Sequence, residues 1–177
     1  LGSAFIPVFT ARLTHEDQAG AWRLASAIIN LLLVVIVPIS LIAMLLAPWI
    51  VQTVLAPELS GEIQRRTVAL MRVMLVSTAI FGVSGVVMGI LNAHQHFLLP
   101  ALAPILYNVA IIGGAMWGGV TNLDAMGPAI GMVVGACLHL GVQLPELIRR
   151  GARYTLVLGL RDAAVRTVGR LMAPRVL

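Results

Sequence analysis

The chain has 177 residues, 59% of them hydrophobic and 11% charged, with a formal net charge of +5. A soluble domain carries about 25% charged residues, so a water-facing globule and a disordered chain are excluded, and the single cysteine, Cys137, excludes a disulfide scaffold. All twelve cations are arginine, set between apolar runs rather than among stacking aromatics on a polar face, which is a topology signal and not a nucleic-acid footprint.

Residues 1–13 are apolar and begin without methionine, a basic flank or a signal-peptide cleavage pattern. They are expected to be the last turns of a helix that starts upstream, so the chain is read as a fragment. The first full span is predicted over residues 25–51, inside a stretch with no charge from Leu24 to Pro57. At 1.5 Å per residue this makes a helix of about 40 Å, longer than the roughly 30 Å hydrocarbon layer. Pro38, in mid-span, withholds the bond to residue 34 and predicts a kink.

No charge occurs between Val73 and Leu123, a run too long for one crossing. Asn92-Ala93-His94-Gln95-His96 breaks it, with Pro100 shortly after, giving spans at residues 73–91 and 100–120. A fourth span is expected over residues 127–144, between Asp124 and Pro145-Glu146. Residues 149–171 then read as an amphipathic, interfacial linker, with Arg161, Arg166 and Arg170 separated by apolar side chains, leading into residues 172–177. Amides must be paired within lipid, so the fold class is an all-α polytopic helix bundle.

Four crossings place alternate loops on opposite sides. Arg12, Arg23, Arg149, Arg150, Arg153, Arg161, Arg166, Arg170 and Arg175 fall on one side, and Arg65, Arg66 and Arg72 on the other. The nine mark the cytoplasmic side.

Small residues recur at helical spacing: Gly82, Gly85 and Gly89 in the second span, Gly114 and Gly118 in the third, Gly127, Gly131 and Gly135 in the fourth. Such faces let helix backbones approach closely. Metal binding needs three or four converging ligands; His94, His96 and His139 have only Glu146 near in sequence on the same side, so no metal and no cofactor is expected. No Ser-His-Asp set and no carboxylate pair lies in the spans, so the chain is not read as an enzyme, and a proton relay has no intramembrane acid to use. The polar groups left at the membrane edge include Asn30, Arg72, Asn92, Asn108 and Gln143, the last four being candidates to line a substrate path. Arg72 follows Arg65 by seven residues and is expected to share its helix face and snorkel to the headgroups.

Ile90-Leu91-Asn92, His96-Phe97, Pro100-Ala101, Pro104 and Asn108 together resemble the "ILN…F..PA..P…N" stretch of the MurJ (MviN) lipid II flippases. Phe5-Ile6-Pro7-Val8 is similar to that family's "AFVPV" helix end, Ala47-Pro48-Trp49 to the end of its third helix, and Gln143-Leu144-Pro145 with Arg149-Arg150-Gly151 to the exit of its sixth. The resemblance covers essentially the whole chain. It implies a piece of a fourteen-helix, MATE-like transporter of the MOP superfamily, from the end of helix two to the start of helix seven, in the bacterial cytoplasmic membrane. The implied partner is lipid II, moved from the inner to the outer leaflet without covalent chemistry. The rivals are a related MATE-like exporter of drugs or of other polyprenyl-linked glycans, and a membrane scaffold or embedded enzyme.

Two departures stand out. The family's cavity arginines lie in its helices one, two and eight, outside this stretch. Where the family often carries Phe-Pro early in helix four, this chain has Leu75-Val76, implying a straighter helix.

Overall fold

A computed structural model describes residues 2–172, apart from the side chains of Ser3 and Met172. Arg175 and the end of the apolar tail lie outside these residues. Helix α1 covers Gly2–Thr14, α2 Gln18–Ile50 with a π-helical continuation at Val51–Leu55, α3 Gly61–Ala93, α4 Leu98–Thr121, α5 Met126–Gly141, α6 Leu144–Arg149 and α7 Ala163–Met172. No strand occurs among the described residues. Four of the described helical stretches, Gln18–Leu55, Gly61–Ala93, Leu98–Thr121 and Met126–Arg149, are long and apolar enough to cross a membrane.

The helices begin and end where the sequence supplies caps. Asp17 opens α2: its Oδ1 accepts the Gly20 amide at 2.8 Å, satisfying one of the four amides left unpaired at a helix start. Asp162 opens α7 in the same manner through the Ala164 amide, also at 2.8 Å. At the other ends, α1, α3, α4 and α6 each close with a residue in the left-handed region: Glu16, Gln95, Asn122 and Gly151. The amide of the next residue reaches back five positions, as in His96 to the Leu91 carbonyl at 2.9 Å and Ala152 to the Leu147 carbonyl at 3.2 Å. These Schellman closures take up carbonyls that would otherwise be orphaned at the membrane edge.

Three boundaries differ from those expected. α3 begins twelve residues before residue 73, because Glu62, Arg65 and Arg66 carry the helix beyond the apolar stretch, Arg66 pairing with Glu62 one turn away at 2.9 Å. The fourth span is α5 followed by the short α6, with a turn at residues 142–143 in place of one rod to residue 144. Within the tail only α7 is helical, whereas residues 152–159 are extended or irregular. Pro38 sits inside an unbroken α2, as do Leu75-Val76 inside an unbroken α3.

Two compact units share these helices. Among the described residues, the first contains residues 2–34, 82–103 and 140–172. Its core gathers Phe5 and Phe9 of α1, Trp22, Leu24 and Ile28 of α2, Val86 and Ile90 of α3, and Val165 and Val168 of α7. Phe9 meets Trp22 edge-on at 5.9 Å, and the His94 ring stacks on Trp22 at 6.1 Å while its Nδ1 donates to the Ile90 carbonyl at 2.9 Å. The second unit contains residues 35–81 and 104–139. Its centre is the crossing of α4 with α5, beside which Phe81 meets Tyr107 edge-on at 4.8 Å. Its outer side chains are large and apolar, Leu45 and Val120 being 76% and 81% exposed, as befits a surface solvated by lipid tails.

Candidate functional site

In the second unit the backbones of α4 and α5 touch. A Cβ placed on Gly114 would lie 2.5 Å from the Gly127 carbonyl oxygen and 2.8 Å from the Gly131 Cα. On Gly127 it would overlap the Gly114 carbonyl oxygen, and on Gly131 it would come 2.6 Å from the Ala110 carbonyl oxygen. Gly135 continues the same face against Tyr107, whose carbonyl oxygen would be 2.9 Å away. This is a glycine seam: no side chain larger than hydrogen fits there, so dispersion between main chains holds the helices together where lipid offers no hydrophobic drive.

Gly82, Gly85 and Gly89 of α3 belong to the first unit and behave otherwise. A Cβ at Gly89 would meet the Phe5 ring at 3.3 Å, one at Gly85 meets nothing within 4 Å, and Gly82 is half-buried. Gly89 thus packs on α1, and the three do not form one continuous contact.

Of the four path candidates, Arg72 and Asn108 lie in the second unit and Asn92 and Gln143 in the first. Gln143 is completely buried and donates Nε2 to Ser84 Oγ at 2.9 Å, a tie between the α5–α6 turn and α3. Arg72 is exposed, and its Nε donates to the Met44 carbonyl of α2 at 3.1 Å. Asn108 is exposed and Asn92 half-buried. Nearby, a cleft of about 320 Å³ in the second unit is lined by Arg66, Asn122 and Asp124, with Arg66 Nη1 3.9 Å from Asp124 Oδ2. Both of these charges are well exposed, so the pair adds little to stability.

The most developed polar constellation is one that sequence spacing hardly marks. Trp22, Ser26 and Asn30 stand one turn apart on α2, and the extended segment after α6 lies along them. Thr155 donates its amide to Ser26 Oγ at 3.1 Å, and Ser26 donates to the Trp22 carbonyl at 2.8 Å. Asn30 Nδ2 donates to the carbonyls of Thr155 at 3.1 Å and Val157 at 2.8 Å, and the Tyr154 hydroxyl donates to Asn30 Oδ1. A helix face therefore does for this segment what a neighbouring strand does in a sheet. Gly159 follows with φ of +58°, close against Ala27, where a Cβ would meet the methyl at 2.9 Å. Asp162 then holds Arg12 of α1, Nη2 lying 2.9 and 3.0 Å from its two oxygens. The signal in the sequence is a Ser and an Asn four residues apart in a mostly apolar helix.

The loop after α3 brings His96 Nε2 to 3.8 Å from Glu146 Oε1, which also accepts Arg150 Nε at 2.8 Å. Among the described residues no three His, Cys, Asp or Glu side chains converge on a common point.

Long apolar helices, a glycine seam and arginines kept out of the uncharged runs define a polytopic helical membrane protein. The chain belongs to the lipid II flippase MurJ family, whose sequence model matches residues 1–177. It is 30% identical over 97% of its length to a probable lipid II flippase MurJ of Treponema pallidum, and covers 33% of that protein. It is 27% identical over 81% of its length to the lipid II flippase MurJ of Burkholderia cenocepacia, covering 28% of it. Against a probable lipid II flippase MurJ of Rhizobium meliloti the identity is 24% over 93% of the chain and 29% of the relative. The chain thus spans a third or less of the length of these curated relatives.

Proposed function

We propose that this chain forms most of the amino-terminal lobe of a protein that carries lipid II from the inner to the outer leaflet of the bacterial cytoplasmic membrane. The observation that carries the reading is the family match along the entire chain. A diphosphate crossing roughly 30 Å of hydrocarbon needs cations in a wet cleft, because a bare charge there is costly, while its polyprenyl tail can stay in lipid. The family's cavity arginines fall outside this stretch, so the role of this chain is mechanical: it supplies one rocking lobe of an alternating-access pair. Transport of this kind makes and breaks no covalent bond. Of the four path candidates, Asn108 and Arg72 are the exposed ones, Arg72 with its Nε engaged by Met44, whereas Asn92 is half-buried and Gln143 is buried and engaged with Ser84.

The orientation follows from the arginines. Eight of the nine assigned to the cytoplasmic side lie in the first unit among the described residues, and Arg65, Arg66 and Arg72 lie in the second. This grouping supports the first unit as the cytoplasmic one. Two measurements test the proposal. The full-length gene should restore growth without lysis, and lipid II on the outer leaflet, to a bacterium depleted of its flippase. Reporter fusions after Arg150 should read as cytoplasmic. Normal exposure of lipid II in cells lacking the protein and any substitute for it would falsify the transport reading.

A further inference from the structure

We propose that Arg72 is a positioning residue that supplies α2 with the hydrogen-bond donor Pro48 withholds. In an α-helix the amide of residue 48 bonds the carbonyl of residue 44. Pro48 has no amide hydrogen, so in α2 the Met44 carbonyl loses its regular partner within an apolar stretch, where an unpaired carbonyl is costly. Arg72 Nε of α3 donates to that same oxygen at 3.1 Å.

The bond meets two needs together. Arg72 is the last charge before a long uncharged run of α3, about 16 Å along the helix from its start, and a guanidinium at the edge of such an apolar run needs acceptors. Its inner nitrogen is satisfied by the proline-freed carbonyl, and the residue as a whole is exposed, which leaves the rest of the guanidinium free to reach toward water. Just beyond Pro48 the helix changes its winding: Val51–Leu55 is π-helical, with the Ala56 amide on the Val51 carbonyl at 2.9 Å. Such local rewinding recurs at hinges and functional sites. Gln64, eight residues before Arg72, donates Nε2 to the Ala56 carbonyl at 2.9 Å. Side chains of α3 thus hold α2 on both sides of its irregular stretch. Capped by Arg72, α2 is fixed at this point; uncapped, it is free to bend. A moving lobe needs such a point, and only this last step rests on the transport reading.

A mutant cycle on the full-length protein in detergent decides the matter without reference to substrate. Arg72→Met should lower the melting midpoint of a protein of this full length by roughly 1–3 °C, the shift expected when a carbonyl in an apolar stretch loses its donor. Pro48→Ala restores an amide to the Met44 carbonyl, so in the Pro48→Ala background Arg72→Met should cost close to nothing. Should Arg72→Met fail to accumulate, Arg72→Lys replaces it and should show a smaller loss that Pro48→Ala likewise abolishes. An equal loss in both backgrounds, or no loss in either, overturns the proposal. In proteoliposomes carrying lipid II, the slowing of transfer by Arg72→Met should be relieved by Pro48→Ala. A residue gripping the substrate by charge would gain nothing from Pro48→Ala. If the unmodified protein transfers no lipid II, the substrate reading fails while the melting cycle still decides the role of Arg72.

Discussion

Replacing Gly127 by alanine puts a methyl group where the α4 backbone already lies. The new Cβ would overlap the Gly114 carbonyl oxygen and sit 2.6 Å from the Gly118 Cα, whereas ordinary contact starts at 3.4 Å. Both obstacles are main chain and cannot turn aside, so the helices must part by about 1 Å to clear the nearer one. A gap of that size forfeits between a quarter and a half of the dispersion well for each atom pair along the seam. Overpacking of this kind costs about 1–3 kcal/mol, more than the roughly 1 kcal/mol that Gly→Ala returns in helix propensity. Gly119, one residue beyond Gly118 in α4, has nothing within 4 Å of its added Cβ and serves as the control. In the purified full-length protein, Gly127→Ala should therefore lower the melting midpoint and Gly119→Ala should leave it unchanged or raise it. If the two shift together, the seam is not a close contact and the reasoning fails.

Three further outcomes are expected. Asp162→Asn should loosen α7 by losing the ion pair with Arg12 while keeping the helix cap, and Asp162→Ala should lose both, adding about 1 kcal/mol; faster hydrogen exchange over residues 163–171 reads the difference. Asn30→Leu strands two carbonyls and the Tyr154 hydroxyl, at a cost of about 1–3 kcal/mol, and should release residues 153–158 to protease before it affects α4 or α5. Gly85→Ala should be neutral, and Gly89→Ala, whose methyl presses on the buried ring of Phe5 at 3.3 Å rather than on main chain, should cost less than Gly127→Ala by the same melting assay.

The helices were legible because lipid imposes a simple rule on sequence. Uncharged runs long enough to cross must be helical, and the polar break at residues 92–96 had to end one, which it does in the turn after Ala93. Boundaries drawn from charge alone stopped too early, since Glu62 and Arg66 support helix outside hydrocarbon as readily as apolar residues support it inside. The glycine spacing marked α4 and α5 as faces, but spacing cannot say which face meets which, and Gly85 carries the same pattern with nothing opposite it. The ties of Asn30 to Val157 and of Arg12 to Asp162 join positions more than 120 residues apart, and no local signal encodes such pairings. Spacing predicts that Arg72 snorkels to the headgroups; that its Nε also serves a carbonyl Pro48 leaves open is readable only once α2 and α3 stand side by side.

The segment between Arg153 and Asp162 is neither helix nor strand, yet it is gauged at both ends. Asn30 fixes the carbonyls of Thr155 and Val157, and Arg12 fixes Asp162, leaving four residues to span the interval. Along an extended chain successive side chains point to opposite faces, so one inserted or deleted residue would exchange core-facing Val157 for exposed Leu158 and carry the cap of α7 away from its partner. Loops ordinarily drift in length among relatives; this one should keep its count, and an affinity tag placed within it should unseat α7 where one placed between Ala56 and Gly61 would not.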